Sequence, residues 1–446
     1  MQKNLTQGPI TKTLVFFALP MIGGNMLQQL YNIADTLIVG RFIGSGALAA
    51  VGSSYTLMTF LTSILLGLCM GSGAVFSIRY GEGDMEKLHE SLGASFVLIL
   101  AVAAVLNLAV FLLIDPIMHL LQVPEEIYVM MREYLWVIFW GILATFLYNY
   151  FACLLRAVGN SVAPLIFLAV SSVMNIVLDL WFVLGFHWGV AGAAFATVLS
   201  QYVSGIGLAV YTYWKTPEFR IRLKYLRPRL AMLREIAQFS FLTSVQQSVM
   251  NLGILMVQGL VNSFGTVIMA AFAAAVKIDS FAYMPAQEFG NAFSTFVAQN
   301  YGAGKTDRIK EGIKKAVMMS VAFCLVISLL VFIFARPLMM IFVDPSETEI
   351  LAAGVEYLRI EGAFYCGIGC LFLLYGLYRA IKRPGMSVVL TIFSLGTRVV
   401  LAYILSAVDF IGVTGIWWSV PIGWALADFV GFLYYKKNKK KLFTKI

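Results

Sequence analysis

The chain has 446 residues, 60% of them hydrophobic and only 12% charged. Soluble domains carry about 25% charged residues, so this composition excludes an ordinary soluble fold and implies an integral membrane protein. The formal charge of +9 does not point to nucleic acid, because the basic residues gather in connections and at the C-terminus, beside apolar runs.

A helix needs about 20 mainly apolar residues to cross a bilayer. In chain order such runs fall at 14–40, 47–79, 91–114, 128–155, 161–185, 189–213, 237–262, 266–300, 313–334, 350–380, 386–408 and 412–435. The expected fold is therefore all-α and integral to the membrane, with twelve transmembrane helices. The polar start Met1–Lys12 leads straight into a run too long for the core of a signal peptide, so no cleaved signal is expected. The five cysteines all lie in apolar stretches without a metal-ligand pattern and read as small core residues.

Lys and Arg set orientation, because loops rich in them stay on the cytoplasmic side. Odd-numbered connections are poor in them; one carries Asp115, Glu125 and Glu126 instead, and another Asp344, Glu347 and Glu349. Even-numbered connections are rich in them: Lys215–Glu235 holds seven, from Lys215 to Arg234, and Lys305–Lys315 follows the eighth run. The tail Lys436–Lys441 is basic as well. Both termini are expected in the cytoplasm and the protein in the plasma membrane, with lipid attraction at the basic runs.

The sequence repeats itself. Tyr80-Gly-Glu-Gly83 recurs as Tyr301-Gly-Ala-Gly304, and Gly44–Ala50 maps onto Gly265–Ala271 at the same offset. Arg156-Ala157 recurs as Arg379-Ala380, and Gly189–Gly192 as Gly412–Gly415, at a shared offset only slightly longer than the first. Each half holds six runs, so the chain returns to its starting side, which implies parallel repeats about a pseudo-two-fold axis along the membrane normal. The expected organisation is a six-helix lobe at 1–214, a basic linker at 215–236, a second six-helix lobe at 237–435 and a basic tail at 436–446.

Two aspartates lie deep in apolar runs of the first half, Asp35 and Asp179. A charged carboxylate at the bilayer centre costs roughly 2.5–3.5 kcal/mol on insertion scales, so such residues are rare and commonly functional. Asn25, Gln28, Asn32 and Asp35 are spaced 3, 4 and 3 along the first run and share one helical face. Asn175 and Asp179 share a face of the fifth. Asn149 and Thr197 could add neutral oxygens. Two carboxylates with amide and hydroxyl oxygens suit a proton or a hard cation such as Na+, and close approach of the two acids would disfavour ionising both. Neighbouring side chains that could line a substrate cavity are Gln28, Tyr31, Asn32, Met174, Gln247, Met256, Tyr283, Met284 and Arg398. Methionines repack around varied ligands, and aromatic faces attract cations.

The repeat maps Asp35 to Met256, Asn175 to Arg398 and Asp179 to Ala402, which confines the acid pair to the first half. The second half has its own intramembrane charges, Lys277, Asp279, Glu288, Arg398 and Asp428, open to either structural pairing or substrate contact. Lys277 and Asp279, two apart, face different ways on a helix. Arg398 is expected to neutralise an acid such as Glu288, Asp279 or Asp428. Gly304-Lys305-Thr306 resembles the end of a phosphate-binding loop, but Gln299 stands where its first glycine belongs and no strand precedes it. No nucleotide, cofactor or nucleic-acid partner is expected.

Taken together, Ile33-Ala-Asp-Thr-Leu-Ile-Val-Gly40, Gln299-Asn-Tyr-Gly-Ala-Gly304 with its copy Arg79-Tyr-Gly-Glu-Gly83, and Asn175-x-x-x-Asp179 resemble the multidrug and toxic compound extrusion transporters, in their DinF-like branch. The resemblance implies antiport that expels organic cations as protons or sodium enter. It gives Asp35 the role of the first-helix aspartate, Asn175 and Asp179 that of the fifth-helix pair, and Thr197 that of a sixth-helix threonine, with Asn149 a looser match. Other branches place an acid on the seventh helix, where this chain has Gln246 and Gln247. The reading is a monomeric secondary antiporter, not an enzyme, with a flippase for lipid-linked precursors as its rival.

Overall fold

The computed structural model describes residues 4–120 and 123–442. Its regular structure is helical throughout: α1 (Ile10–Phe42), α2 (Ser45–Glu82), α3 (Met85–Leu112), α4 (Ile114–Leu120), α5 (Glu125–Ile138), α6 (Gly141–Ala157), α7 (Val162–Leu180), α8 (Gly189–Lys215), α9 (Leu230–Asn262), α10 (Thr266–Gly302), α11 (Thr306–Met339), α12 (Thr348–Gly362), α13 (Tyr365–Ala380), α14 (Pro384–Ser406) and α15 (Val413–Leu442). Nine of these are long and apolar enough to cross a bilayer unaided, and two bent pairs, α5 with α6 and α12 with α13, each make one broken span. α9 is not among these eleven; counted as a crossing on its length of 33 residues, it brings the described residues to the expected twelve, six in each half of the sequence. Two stretches read as linker and tail carry helix: α9 begins at Leu230, and α15 continues through the basic run to Leu442. The tail's residues 443–446, like 1–3 at the start, lie outside the described residues.

The helix junctions obey the repeat. α2 ends at Gly83, whose φ of 74° is left-handed, and the equivalent Gly304 ahead of α11 has φ 70°. A side chain there would be strained, so glycine ends the helix at no steric cost. Gly159 (φ 90°) has Lys382 (φ 61°) as its repeat counterpart, and there the strain is tolerated. Asp84 then caps α3 by accepting from the Lys87 backbone N–H at 3.0 Å. Lys305 stands in the same place before α11 and instead sends its Nζ to the Thr6 carbonyl at 2.7 Å.

Neither broken span was legible as broken, because neither run holds a proline and each keeps enough apolar residues on both sides of the bend to read as one crossing. The bends are 43° between α5 and α6 and 51° between α12 and α13. They fall at repeat-equivalent points, Ile138 matching Glu361. Carbonyls freed inside a membrane must find new donors. The first break has them: Asn107 Nδ2 donates to the Phe139 carbonyl at 2.6 Å, and the Tyr202 hydroxyl donates to that of Trp140 at 2.9 Å.

The helices gather into two compact units. The first contains Leu19–Ser244, and the second contains Leu5–Ala18 and everything from Val245. α1 therefore changes unit between Ala18 and Leu19, beside Pro20, and α9 does so between Ser244 and Val245. The core of the first unit is aliphatic around an aromatic knot of Phe76, Phe96, Phe146 and Tyr150, with α6 packed on α2 and α8. In the second, α10 and α13 approach so closely that a Cβ on Gly376 would stand 2.6 Å from the Gly290 carbonyl oxygen. Small residues permit this backbone approach, which dispersion then rewards.

Candidate cation site

Asp179 and Asn175 occupy successive turns of one face of α7, with Asp179 0% and Asn175 2% exposed. The helix loosens immediately afterwards into a π-helical turn, Trp181–Gly185. Such turns recur at functional sites because they re-aim the flanking side chains. Asn175 Nδ2 donates to Thr197 Oγ1 of α8 at 3.2 Å, so that Asn175 leaves its carbonyl oxygen for another partner.

Asp35 arrives from α1, half-buried, and its carboxyl group lies within hydrogen-bonding reach of that of Asp179. Two carboxylates cannot bond to each other without a proton between them. Among the described residues no protein group donates to Asp35 Oδ1, to either oxygen of Asp179, or to Asn175 Oδ1. Four buried acceptor atoms without donors are costly, and a proton or a small cation is the kind of partner that would satisfy them. No grouping of three or more His, Cys, Asp or Glu suited to a metal occurs among the described residues, so a hard ion here would draw on amide and hydroxyl oxygens as well.

Tyrosines surround the pair. Tyr31 lies within electrostatic reach of Asp35 and Asp179, and also of Tyr55 and Tyr148. Tyr148 donates to the Pro164 carbonyl at 3.1 Å. The buried Tyr134, on α5 just before the break, is in range of both acids as well. Nothing in the sequence marked Tyr134 or Tyr55, since a tyrosine in an apolar run usually serves an interfacial belt. The break at Phe139, which was itself unforeseen, was the signal for Tyr134.

The other expected residues divide. Asn149 donates to the Thr145 carbonyl one turn back in its own helix, at 2.9 Å. Asn32, Tyr31, Met174, Gln247, Tyr283, Met284 and Arg398 are half-buried, whereas Gln28 and Met256 are exposed. Lys277 sits over the Phe342 ring, 5.8 Å from its centroid, and does not pair with Asp279.

The acid pair is not confined to the first half. In the second unit Asp279 of α10 lies beside Glu361 at the end of α12, with Tyr357 and Tyr365 in electrostatic range of both. Asp279 is 5% and Glu361 1% exposed. Arg398 lies in electrostatic range of both acids, while Glu288 interacts with Asn291. Glu361 escaped the sequence reading because its run, Thr348–Gly362, carries enough charge to pass for a helix end at the surface. Tyr357 is the repeat counterpart of Tyr134.

The model of the MatE family matches residues 20–181 and 240–404, most of the chain. The chain belongs to the MatE family, the multidrug and toxic compound extrusion transporters. It is 31% identical to the probable multidrug resistance protein YpnP of Bacillus subtilis over 450 residues, 99% of each chain. It is 26% identical to an FAD transporter of Shewanella oneidensis, over 94% of this chain and 93% of that one. An outward-facing multidrug resistance transporter of the same family superposes with a TM-score of 0.93 at 24% identity, over 99% of this chain and 98% of that one, which establishes the fold. As a MatE protein the chain is a multi-pass membrane transporter of small compounds and not an enzyme.

Proposed function

We propose that the protein is a secondary antiporter that expels organic, chiefly cationic amphipathic, compounds in exchange for protons or sodium. The observation that carries this reading is the buried meeting of Asp35 and Asp179, whose oxygens have no donor from the protein among the described residues. Such a site holds either an ion or a state that favours substrate, and alternation between the two couples the fluxes. Asn175 and Thr197 complete the ion site, and Tyr31, Asn32 and Met174 border it. One charge falling through about 100 mV yields roughly 2.3 kcal/mol, which sustains about a fifty-fold substrate gradient. One-for-one exchange of a monovalent drug cation with a proton is electroneutral, so the chemical ion gradient alone drives that cycle.

In this reading the two lobes alternate access between the two sides of the membrane, the termini and the linker 215–236 face the cytoplasm, and the monomer works in the plasma membrane. Purified protein in vesicles, loaded with a fluorescent organic cation and given a pH or a sodium gradient in turn, tests it. Efflux driven by one gradient supports antiport, and replacing the driving ion names it. A second reading follows from the FAD-transporting relative and from the intramembrane cations Arg398 and Lys277: an anionic or lipid-linked cargo. Gradient-independent movement of a lipid-linked pyrophosphate across the same vesicles would favour it.

A further inference from the structure

The two acid pairs differ in one side chain that decides their chemistry. Around Asp35 and Asp179 the nearby polar groups are neutral: Asn175, Thr197, Tyr31 and Tyr134. Around Asp279 and Glu361 the groups facing in are Tyr283 from α10, Tyr357 from α12, Tyr365 from α13 and Arg398 from α14. α15 contributes Trp417, stacked on Phe272 and edge-on to Tyr357. Arg398 is the repeat counterpart of Asn175. Where the first site offers an amide oxygen to a cation, the second has installed a cation.

We propose that Arg398 is a built-in counter-ion that closes the Asp279–Glu361 pair to a coupling cation, so that ion exchange runs through the first pair alone. Two adjacent buried acids retain one proton between them, because ionising both would place like charges together in a low dielectric. The remaining negative charge requires a cation. Guanidinium is always charged in proteins, so Arg398 meets this need permanently, where a bound ion would meet it reversibly. Among the described residues Glu361 Oε1, Asp279 Oδ1, Arg398 Nε and the Tyr365 hydroxyl are all buried without a hydrogen-bond partner, so the cluster is held by its field rather than locked in a bidentate pair. Removing the guanidinium charge leaves an uncompensated acid that takes up about one further proton or monovalent cation per molecule.

The inference builds on the role proposed above for Asp35 and Asp179, and the experiment separates the two. Purified protein in weakly buffered detergent solution is titrated with NaCl and with acid, and bound 22Na and released protons are counted. In wild type the exchangeable signal vanishes on combining Asp35→Asn with Asp179→Asn. In that silenced background Arg398→Gln restores about one exchangeable cation per molecule, and Arg398→Lys does not. A signal that survives silencing and disappears with Glu361→Gln overturns the proposal, and this arm needs no Arg398 variant. A folded Arg398→Gln protein, judged by its thermal melt, that stays silent also overturns it. A wild-type signal insensitive to Asp35→Asn and Asp179→Asn would instead reject the antiport site and leave the test of Glu361 standing.

Discussion

The first unit buries two acids among amides and hydroxyls, whereas the second buries two acids beside an arginine. Both clusters lie next to a break in a membrane span, and both include the same repeat-related tyrosine, Tyr134 or Tyr357. The scaffold was thus duplicated with its bend while the charge content diverged. A site without a fixed cation is left dependent on a mobile one, and a site with a fixed cation is not. On the proposals above, one fold holds two polar clusters of which only the first cycles.

The largest expected effect breaks the comparison at its centre. Asp179→Asn, or Asp35→Asn, should reduce gradient-driven efflux to background while the thermal melt stays close to wild type, because a neutral isostere keeps the packing but cannot alternate charge. Wild-type efflux in both variants would remove the first site from the coupling. Next, Tyr357→Phe should cost about 0.5–1.5 kcal/mol of stability by removing a polar hydroxyl from beside two buried acids. It should leave the ion dependence of transport unchanged, since the second pair is proposed not to cycle. A shifted ion dependence, read from the proton or sodium concentration giving half-maximal efflux, would count against that difference between the sites.

Asn107→Leu tests the break beneath the first site. The Phe139 carbonyl would lose its 2.6 Å side-chain donor and keep only the Ile142 N–H at 3.1 Å, at a cost of about 0.5–1.5 kcal/mol, visible as a lowered melting temperature and faster hydrogen exchange at residues 138–142. The smallest effect concerns the helix starts. Asp84→Ala should weaken the start of α3 by about 1 kcal/mol, whereas Lys305→Ala should leave the first turn of α11 unchanged, because Lys305 makes no side-chain cap there. Equal loss of exchange protection at both starts would erase this difference.

The sequence by itself determined the twelve crossings, the repeat and the first acid pair. Hydrophobic length is a local property that sums along the chain, and each left-handed glycine marks its own turn. Asp35 and Asp179 stood out because each lies alone in an apolar run, so their expense was visible before any partner was known. The tertiary structure alone decided that Asp279 meets Glu361, that Arg398 faces both, and that two proline-free runs bend at Phe139 and near Gly362. Those facts depend on how each helix is rotated and how deeply it is set against its neighbours, which composition does not encode. A break in a membrane span is stable only where another helix supplies the missing donors, as Asn107 and Tyr202 do for the carbonyls of Phe139 and Trp140.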